Sequence, residues 1–96
     1  MAIGVVATIK VQEGKNAAFE EEFMKLAEQV RANEAGVIFY ILHRSKADSQ
    51  TYKVLEQYNS EADLALHGKT EYFAAANKVL ATMLAAAPHV EVLDTV

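Results

Sequence analysis

The opening run Ile3 to Val11, IGVVATIKV, is short, rich in β-branched residues and followed by Glu13-Gly14, a pattern that predicts a strand and a turn. The period then changes. Phe19, Phe23, Leu26, Ala27 and Val30 recur at spacings of three and four with charged residues between them, the mark of a helix with one apolar stripe. Asn16 is placed to cap this helix, Glu20, Glu21 and Glu22 read as an acidic first turn near the positive end of the helix dipole, and Ala35-Gly36 supplies the stop. Val37 to Ser45 and Thr51 to Asn59 flank the polar segment KADSQ and predict a hairpin. Ser60 to Asp63, SEAD, matches a capping box that opens a short helix ended by Gly68. Thr70 is placed to cap a longer helix running to about Ala87, where Pro88 forbids continuation, and HVEVLDTV forms a last strand. The order β-α-β-β-α-β predicts an α+β fold of the ferredoxin-like kind, one antiparallel sheet with its helices on one face.

That arrangement leaves the second face of the sheet to be covered. VIFYIL, Val37 to Leu42, is apolar at six consecutive positions and therefore apolar on both faces. A soluble monomer does not leave such a patch wet, so a homodimer with sheets facing one another is expected. A cavity between or beneath such sheets would be mostly apolar with a few polar groups, the usual character of a small-molecule site.

Composition narrows the choice of partners. A chain of 96 residues with 52% hydrophobic content suits one domain, residues 1–96. Its 13 acidic and 9 basic side chains give a mild net charge of −4, and no face or segment gathers Lys and Arg, which argues against nucleic acid and anionic membrane. With no cysteine there are no disulfides, thiolate metal sites or cysteine nucleophiles, and a reducing cytoplasm fits. No apolar run approaches the roughly 18 residues of a membrane span, and MAIGVVATIKV lacks the layout of a signal peptide, so the mature protein is expected to begin at or next to Met1. His43, His67 and His89 lack the spacing of a local metal motif, and the glycines at 4, 14, 36 and 68 form no phosphate-binding or dinucleotide fingerprint. No Gly-x-Ser-x-Gly elbow is present. No metal, flavin, nicotinamide or nucleotide is expected.

The candidate chemistry gathers in the second half. On the short helix Ala62, Ala65 and Leu66 fall on one side, and Asp63 and His67, four apart, share another. The plain reading is a surface carboxylate–imidazole pair. The functional reading makes His67 a general base near neutral pH with Asp63 orienting it, and Leu64, apolar opposite the main stripe, implies a helix packed on two sides. Tyr72, Phe73, Ala76, Val79, Leu80, Met83 and Leu84 form a broad apolar arc with Asn77 at its edge, either a substrate donor or a solvated boundary residue. Tyr40, Tyr52, Tyr58 and Tyr72 offer aromatic walls with a hydrogen bond, although core packing is the safer reading of any single one. Glu56 shares a strand face with Tyr52, Val54 and Tyr58, and if that face is buried the carboxyl needs a partner.

Taken in order, the strand–EGK–helix opening with Phe19 and Phe23, the EAG turn at Glu34 to Gly36, LEQYNSEADLALH at Leu55 to His67 and EYF at Glu71 to Phe73 resemble the antibiotic biosynthesis monooxygenase domain, a dimeric α/β-barrel family. The resemblance runs over nearly the whole chain; Glu56, Tyr58, Ala62, His67, Tyr72 and Phe73 match the family pattern in order. It implies a homodimeric, cofactor-independent oxygenase that oxidises a quinol, phenol or polyketide-like aromatic with O2, His67 serving as base and Glu56, Tyr58, Tyr72, Phe73 and Asn77 contacting substrate. Haem-degrading relatives place an asparagine, a tryptophan and a histidine where this chain has Ala7, His67 and Asn77, so haem degradation is not expected. A related branch isomerises phosphorylated signalling sugars related to autoinducer-2, and would need Lys69, Lys53 or Arg44 to anchor phosphate. A non-catalytic dimer that binds a small aromatic ligand is the third reading.

Overall fold

Strand β1 (Ile3–Lys10) alternates buried and half-exposed positions, so Ile3, Val5 and Ala7 point to one side of the sheet and Gly4, Val6 and Thr8 to the other. Helix α1 (Asn16–Asn33) follows, then the hairpin of β2 (Val37–Arg44) and β3 (Thr51–Tyr58), two helices α2 (Glu61–Gly68) and α3 (Glu71–Ala81), and β4 (His89–Asp94). The computed structural model describes all residues, Met1–Val96. The four strands are antiparallel in the order β2-β3-β1-β4. This is the expected ferredoxin-like plan, with the second helical segment split in two.

The stripe of α1 lies on the sheet as its spacing predicts: Phe19, Phe23, Leu26, Ala27 and Val30 are all buried against Ala7, Tyr40, Tyr52 and Val54. Phe23 stacks on Tyr40 with centroids 5.5 Å apart and rings 7° from parallel, and Phe19 meets Tyr52 at 4.9 Å. Register carries the same face across β3, burying Tyr52, Val54, Glu56 and Tyr58. On the far face Phe39, Ile41 and Leu93 remain 39%, 50% and 43% exposed in the single chain, beside the half-buried Val6 and Leu55. The unpaired apolar face read from VIFYIL is therefore present.

Three local expectations are corrected. Lys15, not Asn16, holds the cap position of α1; the Asn16 amide donates to Ser49 O at 2.9 Å and to the Tyr52 hydroxyl at 3.0 Å, and no acidic residue falls in the first turn. Thr70 precedes α3 as expected, but its hydroxyl donates to the His67 carbonyl at 3.0 Å instead of capping. Helix α3 stops at Ala81, short of Ala87, because the next residues bond to the end of β1: Gln12 N donates to Met83 O at 2.9 Å and Ala85 N to Lys10 O at 2.8 Å. These pairings, with the bridge between Val11 and Leu84, take backbone groups that a continued helix would have used.

The end of α1 and the start of α2 meet at one glycine. A Cβ on Gly36 would lie 2.2 Å from Asp63 Cγ and 2.7 Å from Asp63 Cβ, and Gly36 has no positive φ, so the requirement is for space and not for backbone freedom. Asp63 is fixed there by the α2 cap, where Ser60 Oγ accepts from Asp63 N at 3.2 Å and donates to Asp63 Oδ2 at 2.8 Å. Gly36→Ala is expected to destabilise the protein by about 1–3 kcal/mol in urea titrations. Combined with Asp63→Ala it should cost less than the sum of the single changes, since the Cγ and Oδ1 clashes disappear; strict additivity would show that this approach is not what makes the glycine necessary.

Candidate functional site

His67 sits on the inner face of α2, which the Ser60 cap aims at the sheet, and only 3% of it is exposed. Three rings enclose the imidazole: Phe73 of α3 at 4.5 Å, Tyr40 of β2 at 5.2 Å and Tyr58 of β3 at 5.5 Å between centroids. Nδ1 lies 3.0 and 3.2 Å from the two carboxylate oxygens of Glu34, the residue that closes α1 and whose own N–H donates to Val30 O. A carboxylate only accepts, so Nδ1 carries a hydrogen, and in the neutral imidazole the lone pair falls on Nε2. The Tyr72 hydroxyl donates to Glu34 as well, and burial together with this carboxylate pushes the Tyr72 phenol up to about 12. Asp63, engaged with Ser60, is not the residue that orients His67.

Nε2 of His67 makes no hydrogen bond within the chain, and since no sealed polar atom lacks a partner, it must reach open space. That space is a cavity of about 400 Å³ between the sheet and the helices, within the range of small-ligand sites. Val5, Ala7, Phe23, Leu26, Leu80 and Leu84 supply much of its apolar wall, and Val90, 57% exposed, stands at its rim. The charged or polar side chains on it are His67, Glu56, Asn77 and the hydroxyl-bearing Tyr40; no lysine or arginine lines it. No group of three or more His, Asp or Glu side chains comes together in metal-binding range.

The residues singled out from sequence fall into two layers. His67, Glu56, Phe73 and Asn77 line the cavity. Tyr58 stands behind Glu56, fully buried, with its hydroxyl donating to Glu56 Oε1 at 2.6 Å. Tyr72 stands behind Glu34, facing a separate outer hollow formed with Gly36, Asp63 and Thr70. Sequence reasoning missed Glu34 as a site residue and left Tyr40 as core. The clue to Glu34 was its place in the turn just ahead of Gly36, although nothing in the one-dimensional pattern pairs it with a histidine 33 positions away.

Glu56 is 8% exposed, and burial is the largest influence on its carboxyl. The hydrogen bond from Tyr58 opposes that effect and the charge of Glu34 adds to it, leaving the group raised from its ordinary 4.5 to about 7. The folded state therefore holds a proton that the unfolded chain releases between those values. Stability present below pH 4.5 falls as pH rises toward 7, by a total on the order of 3 kcal/mol. Glu56→Gln, which keeps the shape without the charge, should gain in Tm over the parent protein between pH 5 and pH 8 by on the order of 10 °C in calorimetry. A difference that stays constant across that range would contradict the raised carboxyl.

The sequence model of the antibiotic biosynthesis monooxygenase family matches residues 2–79. A Caulobacter crescentus protein, provisionally described as an antibiotic biosynthesis monooxygenase, is 50% identical, with a TM-score of 0.97 over 99% of this chain and 90% of its own. A Pseudomonas aeruginosa protein is 28% identical, with a TM-score of 0.87 over 99% of this chain and 94% of its own. A Nitrosomonas europaea protein with the same provisional description shares the fold at 20% identity, with a TM-score of 0.93 over 98% of this chain and 89% of its own. No curated protein matches the sequence. The chain belongs to the antibiotic biosynthesis monooxygenase domain family.

Proposed function

We propose that the protein is a cofactor-independent monooxygenase that oxidises a quinol, phenol or polyketide-like aromatic with O2, with His67 as the base. The observation that carries this reading is the free Nε2 of His67 at the wall of an apolar cavity, its other nitrogen held by Glu34. Nε2 takes the phenolic proton and Glu34 stabilises the imidazolium that results. The phenolate passes one electron to O2, and the radical pair closes a carbon–oxygen bond. The peroxide takes the proton back from His67, and loss of the ring C–H proton with departure of hydroxide leaves a quinone and one water. Substrate thus loses two hydrogens and gains one oxygen atom, and the second oxygen atom leaves as water. The protein's contribution is to bind, deprotonate and exclude water.

The alternative, isomerisation of a phosphorylated sugar, finds no support in the cavity. Lys53 projects from the far face of the sheet, Arg44 lies 3.6 Å from Glu20, and Lys69 is exposed after α2. A phosphate in the cavity would have no cation beside it. In this reading Asn77, Phe73 and Glu56 contact substrate directly, while Tyr58 and Tyr72 act through the carboxylates they hold. A homodimer packed through Phe39, Ile41, Leu55 and Leu93 would cover the apolar sheet face. The proposed setting is the cytoplasm, in keeping with a chain free of cysteine, and no helix is long and apolar enough to cross a membrane.

Oxygen uptake by metal-free protein with a panel of hydroquinols and anthrols, corrected for autoxidation, tests the proposal; the active species should sediment as a dimer. His67→Ala is expected to lower the protein-dependent rate by about 10²–10⁴-fold, and Glu34→Gln to lower it by less. Uptake unchanged in His67→Ala would remove His67 as base. No uptake with any compound would favour the isomerase or a binding module, and a monomer in sedimentation would refute the sheet-to-sheet dimer.

A further inference from the structure

Three of the four polar side chains on the cavity, His67, Glu56 and Tyr40, stand together, while Asn77 lies one turn along α3 from Phe73. Tyr58 and Tyr40 both pack on the His67 ring, and the same two residues flank Glu56: Tyr58 bonds its Oε1, and Tyr40 is its cross-strand partner. Base and carboxyl therefore share one end of the cavity, and Ile9, Phe19, Leu84 and Pro88 make other parts of its lining apolar. Oε1 of Glu56 is occupied by Tyr58, whereas Oε2 has no partner in the chain and is not sealed, on a residue more than nine-tenths buried. In a neutral carboxyl the hydrogen sits on this second oxygen and needs an acceptor, which only the cavity contents can supply.

We propose that Glu56 donates through Oε2 to a second oxygen of the bound ring, beside the hydroxyl that faces His67, so that the site selects aromatics with two oxygens on one edge. The class comprises ortho or peri pairs, a hydroxyl next to a carbonyl, ether or second hydroxyl. A para arrangement would place its second oxygen out of reach of Glu56. This deepens the oxygenase reading, on which it rests for the role of His67. The groups facing Glu56 are Tyr58 on its own strand, Tyr40 from β2, His67 from α2 and Glu34 beyond it. Burial holds both phenols above their usual range, so they stay neutral while Glu56 titrates.

Binding of 2-methoxyphenol and 4-methoxyphenol under nitrogen, followed by NMR titration between pH 5.5 and 8.5, separates this proposal from turnover because neither compound is being oxidised. The intact protein should bind the 2-isomer about tenfold more tightly at the low end and lose that preference as Glu56 ionises. Glu56→Gln, still a donor but unable to titrate, should keep the preference at every pH. Glu56→Ala should bind both isomers alike. Equal binding by the parent protein at low pH, or tighter binding of the 4-isomer, would overturn the proposal, as would a pH dependence that persists in Glu56→Gln. Isomer selectivity in a protein that takes up no oxygen would leave the Glu56 assignment standing and refute only the oxygenase.

Discussion

The hydrogen bond from His67 Nδ1 to Glu34 joins the end of α1 to the inner face of α2, and the chemistry of the cavity depends on it. It fixes which nitrogen holds the hydrogen, and so which one faces the cavity. It also satisfies a carboxylate that is almost out of water, with the Tyr72 hydroxyl as its second donor. Removing either donor leaves charge poorly compensated; removing the carboxylate leaves the imidazole free to turn. The contact is possible because Gly36 lets the cap of α2 come against the turn that carries Glu34. A small residue in the turn is thus a condition for a defined imidazole orientation in the interior.

The same carboxylate shapes the other polar group. Glu34 and Glu56 lie close enough for the charge of Glu34 to disfavour ionisation of Glu56, and burial adds to this, so that Glu56 keeps its proton up to about pH 7. One carboxyl then serves as acceptor for a histidine and the other as donor into the cavity, two roles for one residue type set by environment. Aromatic rings separate and orient them, and apart from Asn77 the remaining wall is largely apolar, so the polar groups stand where solvent is scarce.

Much of this was legible in the sequence. The stripe from Phe19 to Val30, the hairpin around KADSQ, the cap at Ser60 and the doubly apolar VIFYIL fixed the topology, because each is a local pattern with one geometric meaning. His67 stood out for its place on a helix with apolar residues on two sides. What remained hidden was long-range pairing. Asp63 was the natural partner for His67 at a spacing of four, yet its carboxylate is consumed by the cap, and the distant Glu34 takes the position. The length of α3 was hidden for the same reason: Met83 and Leu84 continue the helical period, but their backbone lies where the end of β1 can bond it.

The most direct measurement is the protonation pattern of His67 in long-range proton–nitrogen NMR spectra of the free protein near pH 8. A hydrogen on Nδ1 and a bare Nε2, with the pattern lost in Glu34→Ala, is the predicted result. A hydrogen on Nε2 in the intact protein would leave the cavity without the base on which this account is built.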